Sequence, residues 1–122
     1  MLILKYHLAH YDKLNMKIQF LGTGAPEGNP SPFCDCENCQ YVRKRKGHNI
    51  RIQASLLIDD ALLIDFGPDV TRSFNNYGKS MSKLKWVLIT HCHYDHFFGG
   101  NFLNRLIGPR SKSISDLHIY GP

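Results

Sequence analysis

Readable alternation begins at Met16, where Ile18 and Phe20 interleave with Lys17 and Gln19 and predict a strand. Gly22-Thr23-Gly24 ends it in a tight turn, and a long loop with Pro26, Gly28, Pro30 and Pro32 follows. Residues 39–46 read as a short helix that stops at Gly47. Two apolar runs, Ala54 to Ile58 and Ala61 to Phe66, predict strands joined through a hairpin turn at Asp59-Asp60. Gly67-Pro68-Asp69 then starts a helix that runs to Asn76, with Pro68 at its first position and Gly78 as its stop.

Trp86 to Thr90 is an unbroken apolar run and predicts a strand buried on both faces, with Trp86 in the core. A helix from about His96 to Leu106 comes next, despite Gly99 and Gly100, which are expected to let it pack closely. Leu117 to Tyr120 predicts a last strand. The order is that of an α/β domain, which gathers its ligands at the carboxyl ends of strands. Residues 1–15 fall outside this pattern and read as a leader, with Met16 as a candidate initiation residue and His7 and His10 as leader residues.

Composition adds boundaries. Of 122 residues, 43% are hydrophobic and 20% charged, as in an ordinary globular domain. No apolar run approaches the ~20 residues of a membrane span, and Leu2-Ile3-Leu4 is too short for a signal-peptide core, so a cytoplasmic location is expected. Lys and Arg number 15 against 10 acids, a formal charge of +5, which favours an anionic substrate. The run Arg43-Lys44-Arg45-Lys46 reads as a solvated helix face and Arg51 as a surface ion-pair partner.

The chemistry concentrates in His91-Cys92-His93-Tyr94-Asp95-His96. His91 and His93 are two apart in an extended segment, so their imidazoles project to one side. Asp95 and His96 follow at a turn and can aim at a neighbouring point. Neutral imidazole and carboxylate suit zinc, manganese or iron, and two ligand pairs so close suit two ions about 3.5–4 Å apart. Alternation turns Cys92 toward the core, and Tyr94 packs beside the site. A second cluster, Cys34, Cys36 and Cys39, has the form Cys-x-Cys-x-x-Cys. Three thiolates at that spacing can embrace one zinc ion and pin the Pro/Gly loop, with the fourth ligand from elsewhere.

Three segments carry a family resemblance: Phe20-Leu21-Gly22-Thr23-Gly24, Leu63-Ile64-Asp65-Phe66-Gly67, and the His motif. Together they resemble the metallo-β-lactamase superfamily, over roughly Met16 to Pro122. The resemblance implies an αββα sandwich, of which this chain holds the amino-terminal half. It implies that His91 and His93 bind one metal and that Asp95 and His96 bind a second, Asp95 also being the candidate catalytic carboxylate. Asp65 resembles a buried carboxylate that orients a ligand histidine. The family's further histidine, bridging aspartate and final histidine follow this motif. The later candidates here are Asp116 and His118, and His118 reads as structural.

The cysteine cluster narrows the likeness to the cyclic-phosphate phosphodiesterase that accompanies carbon–phosphorus lyase, whose three cysteines and a histidine hold a structural zinc. The pyrroloquinoline quinone biosynthesis B protein has a similar cluster but lacks the first histidines that His91 and His93 supply here. The resemblance therefore implies a phosphodiesterase acting on a small cyclic or sugar phosphodiester through a metal-bound hydroxide. Its cofactors would be two divalent ions (zinc or manganese) and one structural zinc. A homodimer fits, a membrane partner does not, and a nucleic-acid partner is the lesser expectation. The alternatives are a tRNA 3′-processing endonuclease of the same fold, and an inactive fragment, since further ligands are expected downstream.

Overall fold

In the computed structural model, residues 15–107 and 116–122 are described. The leader expectation, apart from its final residue, lies outside them, as do His7 and His10. Five strands form one sheet in sequence order: β1 (Ile18–Gly22), β2 (Ser55–Ile58), β3 (Leu62–Ile64), β4 (Trp86–Leu88) and β5 (His118–Tyr120). The first three are antiparallel neighbours, whereas β3, β4 and β5 run parallel. The helices are α1 (Glu37–Arg45), α2 (Val70–Asn76) and α3 (Leu103–Ile107).

The β2–β3 hairpin forms where the sequence placed it. Asp59 and Asp60 both adopt positive φ, at 51° and 58°, the backbone that a two-residue hairpin of the right twist requires and that Asp tolerates. Asp59 Oδ1 accepts a hydrogen bond from the Lys17 backbone at 2.7 Å, and Lys79 bonds Asp60. Lys79 thereby holds the Asp60 carboxyl below the usual carboxylate range.

Register explains the core. Gln19, Leu57, Leu63, Val87 and Ile119 form one row across the sheet, and its three central members are fully buried. Val70 and Phe74 from α2, with Leu84, join the same core cluster. Burying each such side chain contributes about 1.5–3 kcal/mol. The adjacent row, Phe20, Leu56, Ile64, Leu88 and Tyr120, points to the other face. There Phe20 is 65% exposed, Leu88 42% and Tyr120 57%, so this face is apolar and open among the described residues.

Several expectations change. β4 is not buried on both faces: Trp86, at 41% exposure, and Leu88 lie on the open side, and only Val87 enters the core. Its continuous apolar run reflects one packed face and one apolar uncovered face. The helix expected from His96 begins only at Leu103, preceded by a 3₁₀ turn at Gly99–Phe102. Residues 96–98 are instead occupied in pairing with Phe66, whose N–H donates to His96 O and whose carbonyl accepts from Phe98 N–H. Two consecutive glycines, poor helix formers, follow. A Cβ on Gly100 would meet the Phe98 ring at 2.6 Å, so this glycine accommodates an aromatic ring rather than a helix contact. Pro68 sits in the turn before α2, whose cap is Asp69.

Candidate metal centre

The His motif follows β4, at the carboxyl end of the parallel strands. A turn organises it, with both His96 N–H and Phe97 N–H donating to His93 O at 2.9 Å. The imidazoles converge: the His91 ring centroid lies 4.7 Å from that of His93 and 3.9 Å from that of His96. Asp95 is buried and its Oδ2 lies 3.2 Å from His96 Nε2. Its other oxygen, Oδ1, is buried without a hydrogen-bond partner among the described residues.

Asp65, one residue beyond β3, orients this group from below the surface. It is 5% exposed and adopts φ 63°, a left-handed conformation that Asp enters more readily than most residues. Its N–H donates to Leu88 O at 2.9 Å, which ties the bend to β4. Asp65 Oδ2 lies 2.6 Å from His96 Nδ1, and Oδ1 accepts from the Thr90 N–H at 2.9 Å. The Thr90 hydroxyl is 2.8 Å from Asp65 Oδ1 and 3.0 Å from His91 Nδ1. An ionised Asp65 accepts from both the Thr90 hydroxyl and His96 Nδ1–H, and the Thr90 oxygen then accepts from His91 Nδ1–H. In that arrangement Nε2 carries the lone pair on each imidazole, a tautomer that can bind a metal, and the Nε2 of His96 faces Asp95 Oδ2 at 3.2 Å.

Gly67 adds a steric condition. A Cβ there would stand 2.0 Å from the Asp95 carbonyl oxygen, so only glycine lets the motif backbone lie against the β3 end. The buried Asn101 donates from Nδ2 to Gly67 O at 2.8 Å and fixes that approach from the other side. The long loop is held as well, since Tyr94 Oη donates to Pro26 O at 3.0 Å and Gln53 Nε2 to the same oxygen at 3.3 Å.

The donor types suit divalent cations, although among the described residues only the three cysteines bring three ligand atoms within 4.8 Å of one another. The His91 and His96 ring centroids lie 3.9 Å apart beside the buried Asp95, one oxygen of which lacks a partner among the described residues. A buried charged oxygen without compensation is costly, and a cation at this point would remove that cost.

The cysteines form a separate cluster on the loop leading into α1. The three Sγ atoms lie within 4.8 Å of one another. Tetrahedral zinc with sulfurs at ~2.3 Å would place them about 3.8 Å apart, within reach of small side-chain rotations. Cys36 caps α1 and is exposed, Cys34 is half-buried, and Cys39 is buried. The Cys39 backbone N–H, with help from the Cys34 thiol, holds Cys36 below the usual thiol range. At Cys39 a hydrogen bond from the Ser31 backbone favours the thiolate, but burial and the two neighbouring sulfurs outweigh it and push the thiol up. Arg43 braces the loop from α1, donating to Asp35 Oδ1 and Ser31 O, both at 2.8 Å.

Cys92 and Arg51 fall differently from expectation, whereas Tyr94 and His118 do not. Cys92 is exposed, because the β4 ladder ends before it and strand alternation no longer governs its direction. Tyr94 stands beside the site but is 57% exposed and serves the loop. Among the described residues Arg51 makes no ion pair. His118 lies in exposed β5, where its N–H donates to Lys85 O. Thr90 and Gly67 escaped notice as site residues. The signals for them were a hydroxyl directly before the first histidine and a glycine directly after Asp65-Phe66.

Known proteins match this chain in sequence and in structure. The family profile described as Anti-Pycsar protein Apyc1 matches residues 41–106, just over half of the chain. Ribonuclease Z of Streptococcus equi subsp. equi (strain 4047) is 32% identical over 108 residues, covering 88% of this chain and 31% of that protein. Ribonuclease Z of Streptococcus pyogenes serotype M1 is 31% identical over the same length. The chain thus spans about 31% of the length of the curated relatives it matches. A crystal structure of a diphosphatase from the PhnP family superposes with TM-score 0.68 at 28% identity, over 86% of this chain and 41% of that one. Human tRNase Z, short form, gives 0.54 at 28% identity, over 86% and 33%. Zinc-bound PqqB from Methylobacterium extorquens gives 0.59 at 17% identity over 85% and 46%, a likeness of fold alone. All three neighbours have the metallo-β-lactamase fold, and the chain corresponds to part of each.

Proposed function

The chain belongs to the Anti-Pycsar protein Apyc1 family and has the metallo-β-lactamase fold, and from that premise we propose that the protein is a metal-dependent phosphodiesterase acting on a small cyclic or sugar phosphodiester. The observation that carries this reading is the Asp65–His96–Asp95 arrangement, with Asp95 Oδ1 buried and without a partner among the described residues. His91 and His93 would hold one ion, and Asp95 and His96 a second. When bound, the ions supply neutralisation of phosphate charge and a lowered pKa for water at the site. Asp65 keeps His96 in one tautomer and, through Thr90, keeps His91 in the matching one. Gly67 keeps the Asp95 backbone in place. Cys34, Cys36 and Cys39 would hold a structural zinc, with a fourth ligand from another segment.

A small substrate is favoured over a large one by the cysteine cluster and by the likeness to the PhnP-family diphosphatase. The second reading, a tRNA 3′-processing endonuclease, has the ribonuclease Z relatives in its favour. The test is turnover of a cyclic nucleotide phosphodiester and of a precursor tRNA by the full-length protein, supplied with Zn²⁺ or Mn²⁺. Cleavage of the small ester is expected, and its loss by more than about 100-fold in His91→Ala and His93→Ala, because each removes a ligand. Cleavage of precursor tRNA alone overturns the small-substrate reading. Undiminished turnover in both histidine variants overturns the metal site.

A further inference from the structure

A cavity of about 650 Å³ lies beside the end of β1, within the size range of small-ligand sites. Gly22 and Thr23 line it, and the same two residues line the hollow that reaches Asp65, so it neighbours the metal centre without including any residue of the His motif. Among the described residues its ionisable lining has no carboxylate: His48 comes from the 3₁₀ turn 47–49, Arg51 from the segment before β2, and Arg72 from α2. Asn76 and the half-exposed ring of Tyr77 complete it.

Most described cations make no ion pair, and what sets Arg51 and Arg72 apart is that they line one concavity. Arg43 has Asp35, and Lys79 has Asp60. Among the described residues, neither the Arg51 nor the Arg72 guanidinium has an ion pair or a side-chain hydrogen bond. Two unpaired guanidiniums and an imidazole lining one concavity raise its positive potential and attract an anion. Guanidinium groups bind phosphate oxygens through paired, charge-assisted hydrogen bonds. A nearby exposed phenol ring offers a face on which a flat base can stack.

We propose that this cavity is a phosphate-ester site separate from the metal centre, taking the phosphate end of a nucleotide on Arg51 and Arg72 with the base against Tyr77. The proposal stands independently of the hydrolase reading, because it concerns binding alone. The test is calorimetric titration of the full-length protein at low salt with cytidine 5′-monophosphate and, separately, with inorganic phosphate. Arg51→Ala and Arg72→Ala are each expected to weaken nucleotide binding at least ~10-fold, and Arg72→Lys by less, since it keeps charge but loses the fork. A double variant, His91→Ala with His93→Ala, is expected to keep a nucleotide-binding phase that the arginine variants lose, with inorganic phosphate weaker than the nucleotide in that phase. Both arginines are exposed, so unchanged thermal midpoints would show that the variants remain folded. Absence of saturable nucleotide binding overturns the proposal, as does binding lost in the double histidine variant but kept in the arginine variants. Inorganic phosphate binding as tightly as the nucleotide overturns the role given to Tyr77.

Discussion

The cysteine cluster and the histidine motif each crowd ligand-type side chains into six residues, yet they are assembled by different means. The cysteines are brought together locally, by the turn into α1, and are braced by Arg43 from the same helix and by Ser31 and Asp35 from the same loop. The histidines are set from a distance. Asp65 and Gly67 lie two dozen or more residues upstream, and they reach the motif only because β3 and β4 pair in parallel with Ile64 opposite Leu88. A local cluster should survive disturbance of the sheet, whereas a centre built across strands should fail with it.

Gly67→Ala is the strongest way to break that comparison. Its Cβ meets the Asp95 carbonyl oxygen at 2.0 Å, so the motif backbone must move, at a cost of about 1–3 kcal/mol. Urea unfolding is expected to show that loss and metal titration the loss of the histidine site, while zinc at the cysteines persists. A variant as stable as the parent would mean that the approach is less tight than drawn.

Asp65→Asn is gentler. Asparagine tolerates the left-handed backbone but cannot accept from both Thr90 and His96 as a carboxylate does. Metal affinity at the histidine site is expected to fall roughly 10–100-fold, with the fold retained, as calorimetry with Zn²⁺ can measure. Unaltered affinity would remove Asp65 from its orienting role.

Cys36→Ser works from the other side. Elemental analysis of the full-length protein is expected to show one zinc fewer per chain, the remaining metals kept, and lower stability. Unchanged zinc content would mean that these thiols hold no metal.

The smallest effect is expected at the β2–β3 turn. The folded pKa of Asp60 lies below its unfolded value, so its contribution to stability is fully present above the ordinary carboxylate range. That contribution fades as pH falls through the folded pKa. Asp60→Asn should therefore lower the thermal midpoint slightly at neutral pH and leave it nearly equal to the parent's in strong acid. A gap that widens on acidification would contradict the pairing with Lys79.

The same contrast explains what was legible in the sequence. The hairpin at Asp59-Asp60, the strand cores and the local crowding of the cysteine and histidine motifs depend on short-range spacing, and each could be read along the chain. The start of α3 could not, because Phe66 claims residues 96–98 through hydrogen bonds that no local pattern encodes. Trp86 and Leu88 misled because hydrophobicity reports what a face can pack against, not whether a layer lies on it. Thr90 stayed hidden because its value comes from standing between Asp65 and His91, which only the fold brings within reach.

Position 65 answers to two filters at once. The backbone admits glycine, asparagine or aspartate with ease, and the donors around the side chain call for a carboxylate. Glutamate passes the second and fails the first; glycine does the reverse. In a saturation library selected for metal retention, aspartate should stand alone at this codon, while position 90 accepts serine.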